Sequence, residues 1–273
     1  MAHSDHNAGS ISHFVIPDTQ VKPGVPVDHL RWIGQYILDI KPDKVIHLGD
    51  HWDMESLSSY DRGKKAMEGR RYTADVEAGN RGLKLLTAPL EKANWSKRKR
   101  GTEEYRPELH LLRGNHENRI TRAIEDDARM EGALSFEHLE SPGWEVHEFL
   151  DPLTLDGVVY AHYLYNPMTG RPYGGQSIDT RLKTVGHSFT MGHQQGLWYG
   201  LRPTIKGNHH GLVAGSCYLH EEDYLGPQTI NYWRGVIVCH EVRDGTYDPM
   251  FVSLDYLCRR YEGVSLAEFM AGR

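Results

Sequence analysis

Five places in the sequence put oxygen or nitrogen donors directly after a short apolar run. They are Asp18 and Gln20 in IPDTQ, Asp50 and Asp53 in HLGDHWD, Asn115 and His116 in RGNHE, His162 in YAHY, and His193 and Gln195 in MGHQQG. Carboxylates, amides and imidazoles are the side chains that bind divalent cations. Glycine stands immediately before Asp50, Asn115 and His193. Having no Cβ, it lets the chain turn sharply, so that the next side chain points into a cleft. Taken singly, an Asp after a strand is a turn or cap residue in most proteins, and a lone His is structural. Five donor-bearing strand ends in succession are not explained by turn chemistry. In layered α/β folds, the carboxyl ends of strands are where ligands bind.

The elements that must position these residues alternate. ISHFVI (11–16) reads as a short buried strand stopped by Pro17. Leu30, Ile33, Ile37 and Ile40 recur at helical spacing and predict an amphipathic helix over 27–40. DKVIHLGD (43–50) and ELHLLRG (108–114) read as further strands, with helices over 72–95 and 118–130. Pro89 is expected to kink or divide the first of these helices. This βαβα order predicts a largely parallel sheet. After residue 150 the signals are mostly strands: VVYAHY, SFTMGH, GLVAGSC, RGVIVCHEV and MFVSL. GNHH (207–210) reads as a turn between two of them.

Composition bounds the function. A chain of 273 residues can bury a sizeable core, and its net charge of -6 argues against a globally basic nucleic-acid binder. No apolar run reaches membrane-spanning length, and the polar start MAHSDHNAGS has no apolar core of the secretory kind. Cys217, Cys239 and Cys258 are far apart and odd in number, which fits buried thiols in a reducing cytoplasm. The basic run SKRKRG (96–101) reads first as a helix end favoured by the dipole, and second as a phosphate-backbone contact.

In its five donor blocks the chain resembles the calcineurin-like metallophosphoesterases. That pattern runs D-x-H, GDxxD, GNH(D/E), an isolated His and GHxH; here the blocks read DTQ, GDHWD, GNHE, AHY and GHQQ. Gly215-Ser216 and RGVIVCHEV also resemble later parts of the family pattern. The resemblance implies an α/β fold, a four-layer α-β-β-α sandwich of two mixed sheets flanked by helices. It would be one domain over 1–273 with a helical, basic insert at about 55–106. The variant pattern also resembles phosphoesterases encoded by bacteriophages. It departs from the family at Gln20 and Gln195, which replace histidines that serve one and the same metal.

Carried over position by position, the resemblance implies two divalent metal ions. One is held by Asp50, Asn115, His162 and His193; the other by Asp18 and Asp50, with Gln20 and Gln195 in place of imidazoles. Asp50 bridges, since a carboxylate has two oxygens. Mn²⁺ is the preferred ion, with Mg²⁺, Fe²⁺ and Zn²⁺ as alternatives, and the amide-lined site favours Mg²⁺ or Mn²⁺. Two such ions suit in-line displacement at phosphorus. His116 would face the leaving group, Asp53 would orient it, and Arg113 would bind a phosphate oxygen or pair with an acid.

Three functions compete. A phosphodiesterase or nuclease is favoured by the insert, where Arg70, Arg71 and SKRKR are interleaved with Tyr60, Tyr72 and Trp95, a pattern that suits a nucleic-acid strand. The Gly-rich segment 163–175 would be a loop beside His162. A phosphomonoesterase like the Ser/Thr protein phosphatases is favoured by RGNHE, but GDHWDME lacks their Arg-Gly. A non-catalytic module is favoured by the two glutamines and opposed by the intact acids.

Overall fold

The computed structural model describes residues 10–173, 177–205, 207–221 and 232–273. The start of the chain up to Gly9, and Gly174 and Gly175 of the Gly-rich segment, lie outside the described residues. Eleven strands form two mixed sheets among the described residues. The first contains β1 (Ile11–Ile16), β2 (Lys44–His47), β3 (Glu108–Leu112), β4 (Glu145–His147), β10 (Gly235–Arg243) and β11 (Thr246–Ser253). Its order is β11-β10-β1-β2-β3-β4. The expected parallel sheet is its β1–β4 part; β10 and β11 join antiparallel. The second sheet contains β5 (Leu153–Leu155), β6 (Val158–Ala161), β7 (Phe189–Met191), β8 (Leu197–Thr204) and β9 (Gly207–Ala214), ordered β5-β6-β7-β9-β8.

Alternation along the strands sorts the apolar residues into layers. Phe14 and Ile16 of β1, Val45 of β2 and Leu111 of β3 face the helices α1 (Asp28–Ile40), α2 (Tyr72–Arg100) and α5 (Leu254–Glu262). Val15, Ile46 and Leu112 on the opposite face meet Val158, Tyr160 and Leu212 of the second sheet. The far side of that sheet packs Ala161, Phe189 and Val213 on Leu182 of α4 (Ile178–Val185).

α2 runs unbroken through Pro89, so the expected division does not occur. SKRKR forms its last turn, where Lys97, Arg98, Lys99 and Arg100 meet the negative end of the helix dipole. The helix expected over 118–130 divides instead, into α3 (Arg119–Asp126) and a 3-10 turn at Ala128–Met130. GNHH is not a turn: it opens β9, paired with β8. The three cysteines are free and buried, and no helix of the described residues is long and apolar enough to cross a membrane.

α1 and α2 cross closely because glycines line their contact. A Cβ on Gly34 of α1 would stand 2.1 Å from the Leu86 carbonyl oxygen of α2, and one on Gly82 of α2 would stand 3.2 Å from Leu30 of α1. Gly34→Ala should therefore force the helices apart. Urea unfolding is expected to show a loss of about 1–3 kcal/mol, the usual scale of overpacking.

Candidate metal centre

The five donor blocks converge at the carboxyl ends of β1, β2, β3, β6 and β7. Asp18, two residues beyond β1, bridges to Ser216, and its carbonyl accepts the Cys217 N–H at 2.8 Å. Asp50 follows β2, Asn115 and His116 follow β3, His162 adjoins β6, and His193 and Gln195 follow β7. Gln20, Asp50 and His193 have positive φ angles of 39°, 49° and 65°. Such backbone is uncommon outside glycine and clusters at functional sites.

The glycines before the donors act in two ways. Gly49 makes a turn, at φ 99°. Gly114 and Gly192 make room: a Cβ there would stand 2.1 Å from Asp50 Oδ1 and 2.5 Å from Asp18 Oδ1. Two carboxylates thus lie against bare backbone, a different reason for glycine from the one expected.

Asp50 is the centre of the cluster. Its Oδ1 accepts the His116 backbone N–H at 2.9 Å, and its Oδ2 lies 3.3 Å from His162 Nε2. His162 Nδ1 donates to the Leu48 carbonyl at 2.9 Å, which leaves Nε2 facing Asn115 Oδ1 at 2.9 Å. His193 is exposed, but its ring packs on His162 and Tyr163, with centroids 5.2 and 5.0 Å away. Donor atoms of Asp50, His162 and His193 all lie within 4.8 Å of one another. On the other side, Asp18 Oδ1 accepts the His193 backbone N–H at 3.0 Å and Oδ2 accepts from Gln195 Nε2 at 3.1 Å. The amide oxygens of Gln20 and Gln195 are buried and receive no hydrogen bond.

The electrostatics suit a cation. Burial and the charge of Asp50 push the Asp18 carboxyl up to about 7. Burial opposes charge on His162, yet Asp50 beside it wins and lifts the imidazole to about 9. Burial works against the Asp50 carboxylate too, but His116 and His162 hold it below the usual carboxylate range. The protein thus binds protons where a divalent ion would relieve the same crowding of negative charge. The packing around its ring, with His162, brings His193 down to about 4, the neutral form that ligates metals. The two orphaned amide oxygens are hard donors without a partner, so the residues present fit metal ions.

His116 Nδ1 lies 2.7 Å from Asp53 Oδ1, while its Nε2 receives the Arg119 guanidinium at 3.1 Å. Asp53 is also paired with Lys22 at 3.2 Å. Arg113 is placed elsewhere. It binds Glu148 at 2.5–2.6 Å and lies over the Phe136 ring, so the acid-paired alternative is the one seen. Arg119 and Arg122 reach the cluster instead. They line a cavity of about 430 Å³ with Lys22, Asn115, His116 and His193. The first part of the insert supplies Glu55, Tyr60, Lys64 and Arg70 to this cavity; Trp95 and Arg98 line a different one.

Glu117 carried no assigned role in the sequence reading. Its buried carboxylate accepts four backbone N–H groups: His51 at 2.6 Å, Gly114 at 2.8 Å, Trp52 at 2.9 Å and Asp50 at 3.1 Å. Burial and the charge of Asp50 push its carboxyl up, and those bonds pull it back. No protein-family model matches this chain, and no curated protein matches it.

Glu117→Gln would turn an NH₂ group toward backbone donors. Loss of about 2 kcal/mol or more is expected in chemical denaturation, the cost of unsatisfied buried polar groups. Metal affinity should fall with it, measured by calorimetric titration with Mn²⁺.

Proposed function

We propose that this protein is a metal-dependent phosphoesterase of the calcineurin-like type, acting first on phosphodiesters. The observation that carries the reading is the convergence of Asp50, Asn115, His162 and His193 donors beside Asp18, with the Gln20 and Gln195 oxygens left over. The layering of helices, two mixed sheets and a further helix supports the four-layer α-β-β-α form of that fold. Asp50, Asn115, His162 and His193 would hold one ion; Asp18, Asp50, Gln20 and Gln195 the other. Bound there, two divalent ions such as Mn²⁺ neutralise phosphoryl oxygens and acidify water.

The remaining chemistry belongs to side chains. Asp53 fixes the His116 ring through Nδ1, so that Nε2 faces the cavity side. Burial opposes a charged imidazole, but Asp50 and Asp53 together raise His116 above its ordinary value. Nε2 accepts from Arg119; once that guanidinium turns to a bound anion, the nitrogen is free to carry a proton and give it to the departing oxygen. Arg119 holds the carbonyls of Asp53 and Met54, which keeps a guanidinium beside that oxygen's path. Five cationic and three acidic side chains line the cavity, a balance that favours an anionic substrate. Tyr60, 81% exposed at its rim, offers a ring for a base to stack on, which favours a nucleic-acid diester over a phosphomonoester.

The test is turnover of bis(p-nitrophenyl) phosphate beside p-nitrophenyl phosphate, after EDTA treatment and re-addition of Mn²⁺. Metal-dependent cleavage of the diester is expected. Preference for the monoester would move the protein to the phosphatases, and failure on both with metal bound would leave a binding module. Asp50→Asn should lower turnover by about 10²-fold or more, the scale of losing a principal electrostatic contributor. His116→Ala should lose rate while keeping its metal content by elemental analysis; loss of metal would make His116 a ligand.

A further inference from the structure

We propose a second metal site, unrelated to the first, in which His110, Glu145 and His147 bind a divalent transition-metal ion of the zinc class. It lies on the two adjacent parallel strands β3 and β4, at the edge of the first sheet. His110 pairs in register with Glu145, and Leu112 with His147. His110, Glu145 and His147 share one face because they occupy alternate positions. Donor atoms of all three lie within 4.8 Å of one another.

The distances match coordination. Four ligands at bonds of about 2.0–2.1 Å around zinc stand about 3.3–3.4 Å apart along each tetrahedral edge. Here His110 Nδ1 is 3.2 Å from His147 Nε2 and 3.4 Å from Glu145 Oε2, and His147 Nε2 is 3.9 Å from Glu145 Oε1. Two ring nitrogens and a carboxylate are thus near their places before any ion enters.

The surroundings are those of a ligating histidine. His110 is 5% exposed, and its other nitrogen, Nε2, is buried without a hydrogen-bond partner. Glu108 Oε2 stands 3.5 Å from that nitrogen, and Lys44 Nζ stands 3.6 Å from the same oxygen. A modest tightening would give the carboxylate–histidine–metal arrangement that orients zinc-bound imidazoles. Burial lowers the His147 imidazole, with Glu145 pulling the other way and His110 adding to the lowering. Three protein ligands leave a fourth position to water on the side of exposed Glu145. The ion would pin β4, a strand of three residues with a partner on one side only.

The test is titration with Co²⁺, read by the visible absorption of tetrahedral cobalt, in the full chain carrying Asp50→Asn and His193→Ala to weaken the other cluster. One equivalent should still bind, with zinc displacing cobalt and raising Tm. Adding His147→Gln should abolish it. Glu145→Gln, at an exposed position where folding is safe, should weaken it at least about 10-fold, and Glu108→Gln by about 10–100-fold, the range for outer partners. Binding only at millimolar metal, or an affinity unchanged by Glu145→Gln, would overturn the site. Neither outcome depends on phosphoester turnover.

Discussion

The grip of the Glu117 carboxylate on two strand-end loops is the constraint on which the candidate centre depends. Its oxygens take N–H groups from Asp50, His51 and Trp52 on one loop and from Gly114 on the other. The first loop is thereby held with Asp50 in a left-handed conformation, which an ordinary loop would relax. The second is held against it, so closely that only glycine fits at position 114. A buried anion is costly, and these backbone donors are what make it tolerable. They also bring Asp50 and Asn115 onto the same imidazole, His162, from two different strands.

Around that anchor the acids are treated unequally. Asp53 is surrounded by His116, Lys22 and Arg119, and despite burial stays below the usual carboxylate range. Asp18 has no such cation of its own and rises to about 7. Asp53 and Asp50 are both provided for by protein charges, Asp50 by the imidazoles of His116 and His162. Asp18 has backbone N–H groups and the Gln195 amide beside it, and its compensation is the thinnest of the three. The surroundings also separate the roles: Asp53 orients a histidine, whereas Asp18 is left to meet positive charge from outside.

Much of this was legible in the sequence, and the reasons for the rest are physical. β1, β2, β3 and α1 were readable because alternation and helical spacing report burial directly. That Asp18, Gln20, Asp50, Asn115, His162, His193 and Gln195 follow strand ends was readable because each stands directly after a short apolar run. β8 was missed because Gly200 and Pro203 interrupt it; an edge strand tolerates both. α5 and α6 (Leu266–Ala271) were missed although their caps were visible: Ser253 accepts from Tyr256, and Ser265 with Glu268 forms a capping box. Glu117 was invisible for another reason. Its partners are backbone N–H groups, which no pattern of side chains reports. Arg113 and Arg119 differ by which acid or histidine lies nearby in space, and one-dimensional spacing does not carry that.

β3 joins the two proposed sites. Its carboxyl end presents Asn115 and His116, and its middle carries His110. Between them, the Arg113 N–H donates to the His147 carbonyl at 3.0 Å, and the Arg113 side chain holds Glu148. The last hydrogen bond before the Gly114 turn is therefore made to β4, the short edge strand. An edge strand of three residues is weakly held by its ladder alone. Whatever fixes β4 steadies the point at which the chain leaves β3 for the candidate centre. An ion at His110, Glu145 and His147 would do this through His147 itself, whose carbonyl takes the Arg113 N–H, outside the cavity and without touching the cluster that Asp50 organises. In that arrangement, the proposed outer ion would stiffen the frame that carries the Asp50 cluster.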